Sequence, residues 1–86
     1  MSAPKVLVYS TDWCPYCSRA RRLLEAKGVA YEEIDVDVVP GAREQMMARS
    51  GGRDSVPQIF IGAHHVGGSD ELAALEAAGR LDPLLK

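Results

Sequence analysis

Several features that would mark a specialised class of protein are scarce or missing in this sequence. Its 86 residues include only two cysteines, which are too few for the disulfide framework of a small secreted scaffold. No run of residues approaches the roughly 20 apolar positions that a membrane-spanning helix needs. A net charge of −2 leaves no basic surplus for nucleic acid or for an acidic membrane surface. We therefore expect neither a nucleic-acid partner nor a membrane partner.

The amino-terminal segment and the composition indicate an ordinary globular chain. No basic stretch followed by an apolar stretch opens the sequence, so we expect no signal peptide. Hydrophobic residues make up 47% and charged residues 26%, enough for one small domain with a modest core. We expect a single domain over residues 1–86, located in the cytoplasm. In that compartment a Cys-x-x-Cys pair is more often catalytic or metal-binding than structural.

The apolar pattern predicts alternating strands and helices. The predicted strands are 5–9, 29–38, 56–61 and 64–66, and the predicted helices are 15–27, 40–50 and 70–78, with a short helical piece near 82–85. Ser69 is expected to cap the third helix. The first strand, helix and second strand imply a right-handed unit with parallel strands, and Gly62-Ala63 implies a hairpin. The order β-α-β-α-β-β-α predicts an α/β fold, a four-stranded mixed sheet flanked by helices.

Both cysteines lie at the junction between the first predicted strand and the first predicted helix. Cys14 would occupy the helix N-terminus, where unpaired backbone N–H groups and the helix dipole favour a thiolate. Pro15 suits the first helical turn, since its missing N–H costs nothing there. Cys17 would follow one turn later, with its sulfur facing Cys14. The pair is suited to a dithiol that opens and closes as a disulfide.

Three motifs occur along the chain at consistent places in the predicted fold. Cys14-Pro15-Tyr16-Cys17 precedes the first helix, Ser55-Val56-Pro57 precedes the third strand, and Gly67-Gly68-Ser69-Asp70 precedes the third helix. In this order and spacing they resemble the dithiol signature, the Thr-Val-Pro segment with its cis proline, and the Gly-Gly-x-Asp glutathione site of the glutaredoxin family. The resemblance extends from Val6 to the carboxyl terminus, and it implies a thioredoxin-like fold.

The resemblance also implies an activity, that of a glutathione-dependent thiol–disulfide oxidoreductase. Cys14 would attack the disulfide as nucleophile, and Cys17 would resolve the mixed disulfide on the dithiol route. Glutathione would be the reducing co-substrate, with no cofactor held by the protein. The protein substrates would carry disulfides or bound glutathione, with ribonucleotide reductase among the family's partners. We expect the chain to act as a monomer.

The implied glutathione site combines backbone and charged groups. Glutathione carries two carboxylates and one ammonium, so the N–H groups at the start of the third helix would bind a carboxylate and Asp70 the ammonium. The backbone of Val56 would pair with the cysteinyl residue like an added strand. Gln58 is expected to line the groove. The binding residues implied are Tyr16, Val56, Pro57, Gly68, Ser69 and Asp70.

One departure from the family pattern affects the charge beside the dithiol. Glutaredoxins often carry a lysine three residues before the nucleophilic cysteine, and here that place is Thr11. Arg49 and Arg53 are the candidates for supplying the missing positive charge. The basic run Arg19, Arg21 and Arg22 fits a solvated helix face, or a docking surface for acidic protein substrates.

Three other hypotheses stay open at this point. A zinc site would need His64 and His65 beside the cysteines, but neighbours on a strand point to opposite faces, so we expect no metal. Reduction by thioredoxin reductase is favoured by Trp13 and Thr11, and disfavoured by the Gly-Gly-Ser-Asp segment. An iron–sulfur carrier would share a cluster between two chains through Cys14 and glutathione, and Pro15 disfavours it because it stiffens the loop.

Overall fold

The computed structural model describes residues 4–86, so residues 1–3 of the expected domain lie outside the described range. The elements within that range are β1 (Val6–Ser10), α1 (Pro15–Ala26), β2 (Glu32–Asp35), α2 (Ala42–Arg49), β3 (Gln58–Ile61), β4 (His64–Gly67), α3 (Ser69–Ala77) and α4 (Leu81–Leu85). None of the helices within residues 4–86 has the length and hydrophobicity needed to cross a bilayer.

The four strands form one mixed sheet in the order β2-β1-β3-β4. β1 runs parallel to β2 and antiparallel to β3, with Leu7 opposite Glu32 on one side and Phe60 on the other. β3 and β4 form the hairpin that Gly62-Ala63 predicts. The parallel β1–α1–β2 unit and the mixed sheet are therefore confirmed, and β1 lies at the centre, where all five of its residues are buried.

Helices cover both faces of the sheet, as predicted. Side chains alternate along a strand, so β1 sends Val6 and Val8 to one face and Leu7 and Tyr9 to the other. The first face packs against α1, α3 and α4 through Ala20, Leu24, Ile59, Ile61, Leu72 and Leu81. The second face packs against α2 through Val36, Ala42, Met46 and Phe60. The dithiol therefore lies at the end of the central strand, where β1 passes into α1.

Helix α1 follows the predicted pattern closely. Cys17, Ala20 and Leu24 are buried at positions i, i+3 and i+7, which lie on one side of a helix. Lys27 is the C-cap residue, and Gly28 then takes a φ of 69°, the left-handed conformation that glycine adopts at little cost. The helix therefore has a buried face that holds its first turn against the sheet.

Two strands differ from the prediction by more than one residue at an end. β2 covers four residues rather than 29–38, because the Asp35 carboxylate accepts the N–H of Asp37 and the Asp35 carbonyl accepts the N–H groups of Val38 and Val39, which turns the chain. β3 begins at Gln58 rather than residue 56, so Pro57 precedes the strand, where its missing N–H interrupts no ladder.

Two helix starts also differ from the prediction. α2 begins at Ala42 rather than residue 40, with Gly41 as its N-cap at a φ of 78°. Gly68, not Ser69, is the N-cap of α3, and Ser69 is the first helical residue. The predicted Ser69 cap is wrong because the Glu71 carboxylate accepts the Gly68 N–H at 3.0 Å, which places the helix start one residue earlier.

Candidate active site

Cys14 is the N-cap residue of α1, and Pro15 is the first residue of the helix. The side chain is buried, and its sulfur lies 3.8 Å from the carbonyl oxygen of Val56. The thiol donates to that carbonyl, since a carbonyl oxygen can only accept. The position at the helix N-terminus, where backbone N–H groups favour negative charge, suits a sulfur that must ionise to react.

Cys17 is fully buried one turn further along α1, and both cysteines are free thiols. Burial raises the pKa of the Cys17 thiol to about 11, and the neighbouring Cys14 adds to the rise. The backbone N–H of Thr11 and the charge of Arg21 oppose the rise without cancelling it. Cys17 is therefore held as a neutral thiol at neutral pH, beside a Cys14 that lies at a helix N-terminus.

A groove of about 150 Å³ lies beside Cys14. The loop 55–57 forms one of its walls, and Val56 joins the groove to Cys14 through the carbonyl contact. The Val56–Pro57 peptide bond is cis. The groove is lined by Tyr16, Arg53, Ser55, Val56, Pro57, Gly68, Ser69, Asp70 and Glu71. All six residues that the sequence implies for glutathione binding thus line one groove.

The charges in this groove are organised around Glu71. One carboxylate oxygen accepts from the Gly68 N–H and from Arg53, both at 3.0 Å. The Gly68 N–H, and secondarily Arg53, hold the pKa of Glu71 below its usual range. A Cβ atom on Gly67 would lie 2.5 Å from the same oxygen, and its φ is 113°, so this arrangement requires glycine at position 67.

Glu71 also lines the groove, although it lies outside the Gly67-Gly68-Ser69-Asp70 motif. A glutamate three residues after an N-cap residue is the pattern of a capping box. This spacing would have identified Gly68 as the partner of Glu71. With Ser69 predicted as the N-cap, Glu71 lay two residues after the cap rather than three, so the pattern was not recognised. Asp70 is exposed and lines the groove, so a positive group of a ligand can approach its carboxylate.

Of the two arginines considered for the charge missing at Thr11, only Arg53 lines the groove. Arg49 lies on the α2 face, stacked 4.6 Å above the Phe60 ring and donating to the Tyr9 hydroxyl at 3.1 Å. The Thr11 side chain is buried, and within residues 4–86 its hydroxyl has no hydrogen-bond partner. The positive charge at this site is therefore that of Arg53 in loop 50–55, and not that of a residue at the end of β1.

Gln58 does not line the groove, and that expectation is wrong. Its side chain is fully buried behind loop 55–57, where it bonds to Ser55 and His65. Alternation along β3 places Gln58 on the same face of the sheet as Phe60, and helix α2 covers that face.

The surface around Cys14 is aromatic and basic. Trp13 is 77% exposed and Tyr16 51% exposed, on either side of the cysteine. Arg19 lies over the Tyr16 ring at 5.4 Å, whereas Arg21 pairs with Glu33 on β2. Of the predicted basic run, Arg19 and Arg22 thus remain on the exposed face, and Arg21 does not.

The two histidines have different surroundings. His64 is exposed, whereas the His65 ring stacks on Phe60 with 4.8 Å between centroids. Across residues 4–86, no cluster of three or more His, Cys, Asp or Glu side chains is arranged to hold a metal ion.

Comparison with known proteins points to one family. A family model described as glutaredoxin matches residues 6–66. A glutaredoxin from Pseudomonas aeruginosa is 55% identical over 82 residues, which cover 95% of this chain and 96% of the relative. The solution structure of a glutaredoxin from Brucella melitensis superimposes with a TM-score of 0.86 at 51% identity, covering 100% of this chain and 92% of that one. A buckwheat glutaredoxin–glutathione complex superimposes with a TM-score of 0.86 at 31% identity, covering 96% and 76%.

Proposed function

The chain belongs to the glutaredoxin family, and from this membership we propose that Cys14 is the nucleophile and Cys17 the resolving thiol of its reaction. The protein is a glutathione-dependent thiol–disulfide oxidoreductase of the dithiol type, with glutathione as its co-substrate. The observation that carries the assignment of roles is the contrast between the thiols. Cys14 caps a helix beside the groove, whereas Cys17 is fully buried with a pKa raised to about 11.

On the monothiol route, Cys14 alone exchanges with glutathione. The Cys14 thiolate attacks the glutathione sulfur of a glutathionylated substrate, the substrate S–S bond breaks, and the substrate thiolate leaves and takes up a proton. A second glutathione, as thiolate, attacks the glutathione sulfur of the mixed disulfide. That step releases the Cys14 thiolate and oxidised glutathione, so the enzyme returns to its starting state.

On the dithiol route, Cys17 takes part only after the first attack. A thiol with a pKa of about 11 is ionised in roughly one molecule in ten thousand at pH 7, so Cys17 does not compete for the substrate. Once Cys14 is held in a mixed disulfide, its own contribution to the raised Cys17 pKa is gone while that of burial remains, and Cys17 gives up its proton as its sulfur attacks the Cys14 sulfur. The substrate leaves as a thiol, and the resulting Cys14–Cys17 disulfide is reduced by two glutathiones.

Glutathione would lie along the groove described above. The Val56 backbone would pair with its cysteinyl residue, with Pro57 and Tyr16 forming the sides of the channel. A glutathione carboxylate would meet the positive end of α3 at Gly68 and Ser69, and Asp70 would take the ammonium. Arg53, which also pairs with Glu71, would contribute positive charge toward the second carboxylate, in place of the lysine that the chain lacks at Thr11.

The same proposal extends to the protein substrates, the oligomeric state and the location of the protein. Its protein substrates would be disulfide-containing or glutathionylated proteins, with ribonucleotide reductase as one candidate. We propose that residues 1–86 act as one domain, as a monomer, in the cytoplasm. The exposed Trp13 and the Tyr16–Arg19 pair offer the contact surface for such protein substrates.

The test is glutathione-coupled reduction of a glutathionylated peptide by the parent, Cys14→Ser and Cys17→Ser proteins. We expect Cys14→Ser to lose all activity and Cys17→Ser to retain it, while Cys17→Ser loses reduction of an intramolecular protein disulfide. An active Cys14→Ser variant would overturn the assignment of the nucleophile. A parent that is inert with glutathione but active with thioredoxin reductase would overturn the proposed glutathione contacts.

A further inference from the structure

Gln58 is a fully buried amide directly behind the groove wall formed by loop 55–57. Its Nε2 lies 3.0 Å from the Ser55 carbonyl oxygen and 3.2 Å from the Ser55 hydroxyl. Its Oε1 lies 2.7 Å from Nε2 of His65 on the neighbouring strand β4. Both polar atoms of the side chain are therefore hydrogen-bonded, the nitrogen to Ser55 in loop 55–57 and the oxygen to His65 on β4.

The direction of these bonds follows from which groups are able to donate. The Ser55 carbonyl only accepts, so the amide nitrogen of Gln58 must face Ser55 and the amide oxygen must face His65. The hydrogen of the bond between Gln58 and His65 is therefore carried by Nε2 of His65. The stack of the His65 ring on Phe60, at an interplanar angle of 25°, holds that donor in place. The result is a continuous path of contacts from Phe60 through His65 and Gln58 to Ser55.

The Ser55 carbonyl shares a peptide plane with the Val56 N–H. The Ser55–Val56 peptide bond is trans, since the only cis bond within residues 4–86 lies between Val56 and Pro57. In a planar trans peptide the C=O and the N–H point in opposite directions. Because Gln58 holds the Ser55 carbonyl toward the protein interior, the Val56 N–H is directed the other way, toward the groove.

We propose that Gln58, held by His65, is a positioning residue that aims the Val56 N–H at the cysteinyl residue of glutathione. The proposal deepens the function given above and rests on the proposed pairing of Val56 with glutathione. It assigns Gln58 no contact with the substrate. A rigid peptide plane spares the complex the cost of ordering it on binding, so the effect appears in affinity rather than in the chemical step.

The experiment compares three variants in reduction of a glutathionylated peptide. Gln58→Met keeps the volume and removes all three hydrogen bonds, His65→Phe keeps the stack on Phe60 and removes the donor to Gln58, and Gln45→Met, the same substitution at an exposed glutamine, is the control. Gln45 accepts from the Tyr9 hydroxyl on the α2 face, away from the groove. Each variant is also assayed for alkylation of Cys14 by iodoacetamide and for hydrogen exchange at the Val56 amide.

We expect Gln58→Met to raise KM for the glutathionylated peptide about three- to tenfold, the effect of one weakened hydrogen bond, with kcat and the alkylation rate unchanged. His65→Phe should raise KM in the same direction by a smaller factor, and it tests the path independently if Gln58→Met fails to fold. The slowing of hydrogen exchange at the Val56 amide on addition of glutathione should be smaller in both variants than in Gln45→Met.

Two outcomes would overturn the proposal. One is a KM for Gln58→Met, or for His65→Phe if that variant alone folds, equal to that of Gln45→Met. The other is a parallel loss of kcat and of Cys14 alkylation, which would show a general disruption of the site. The activity of the parent protein distinguishes this proposal from the proposed function. A parent that is inert with glutathione would overturn the proposed function and the role of Gln58 with it. With an active parent, the variants alone decide the role of Gln58.

Discussion

The sulfur of Cys14 lies 3.8 Å from the carbonyl oxygen of Val56, a residue 42 positions later in the chain. In the resting protein the thiol donates to this carbonyl. When Cys14 ionises, it no longer has a hydrogen to donate, and the carbonyl becomes free for another donor. Activation of the nucleophile thus releases an acceptor in the groove, where we propose that the backbone N–H of glutathione's cysteinyl residue binds.

The buried state of Cys17 predicts its reactivity toward alkylation. In the Cys14→Ser variant, the rate of Cys17 alkylation by iodoacetamide should still rise about tenfold per pH unit between pH 7 and 9, because burial remains the largest cause of the raised pKa. The same variant unfolded in urea is the control, and its rate should level off near the ordinary thiol pKa of 9.0. A folded variant that levels off at or below pH 9 would contradict this.

The same raised pKa of Cys17 sets a window for stability. The folded thiol stays neutral to about pH 11, whereas the unfolded thiol ionises from about 9.0. The contribution of Cys17 is therefore complete below pH 9 and is lost as the pH rises through about 11. Between these values the free energy of unfolding of the reduced parent should fall more steeply than that of Cys17→Ala, as measured by urea denaturation.

The buried hydroxyl of Thr11 predicts a stabilising substitution. Thr11→Val keeps the shape of the side chain and removes an oxygen that is desolvated without a partner among residues 4–86. We expect the free energy of unfolding to rise by about 1 kcal/mol. Activity should be unchanged, because the backbone N–H of Thr11 that faces Cys17 is retained.

Ser10→Ala is the matched control for Thr11→Val. The neighbouring Ser10 is also buried, but its hydroxyl donates to Glu33 at 2.7 Å. Loss of that bond should lower the free energy of unfolding by about 1 kcal/mol. Urea denaturation of both variants would contradict the argument if Thr11→Val proved less stable than the parent.

The capping contact of Glu71 predicts a stability difference that depends on pH. Glu71→Ala leaves the Gly68 N–H without its acceptor, so we expect a loss of about 0.5–1 kcal/mol at pH 7. Because the pKa of Glu71 is lowered on folding, its stabilisation is present above pH 4.5 and is lost as the pH falls through the lowered value.

Asp70→Ala provides the comparison for that measurement, since Asp70 lies beside Glu71 in the same helical turn and is exposed. Urea denaturation at pH 7 and pH 3 should show a loss in Glu71→Ala that shrinks at pH 3, and a smaller loss in Asp70→Ala at pH 7. A difference for Glu71→Ala that is equal at both pH values would mean that the carboxylate's charge has no part in the cap.

Local chemistry made most of the fold predictable. The strand-to-helix junction, the burial of Cys17, Ala20 and Leu24 and the end of α1 at Gly28 all follow from residues within a few positions of one another. Errors came where a local contact moved the boundary of an element. The Asp35 side chain and backbone shortened β2, and Glu71 moved the start of α3 by one residue.

The sequence by itself determined the motifs and their order, because helix starts, glycine turns and the Cys-x-x-Cys spacing depend on neighbouring residues. Only the tertiary structure decided which residues from distant parts of the chain come into contact. Packing buried Gln58 behind the groove, placed Arg53 rather than Arg49 in it, and enclosed Cys17 so that its pKa rises. These outcomes depend on solvent exclusion and on contacts between distant segments, which exist only once both faces of the sheet are covered.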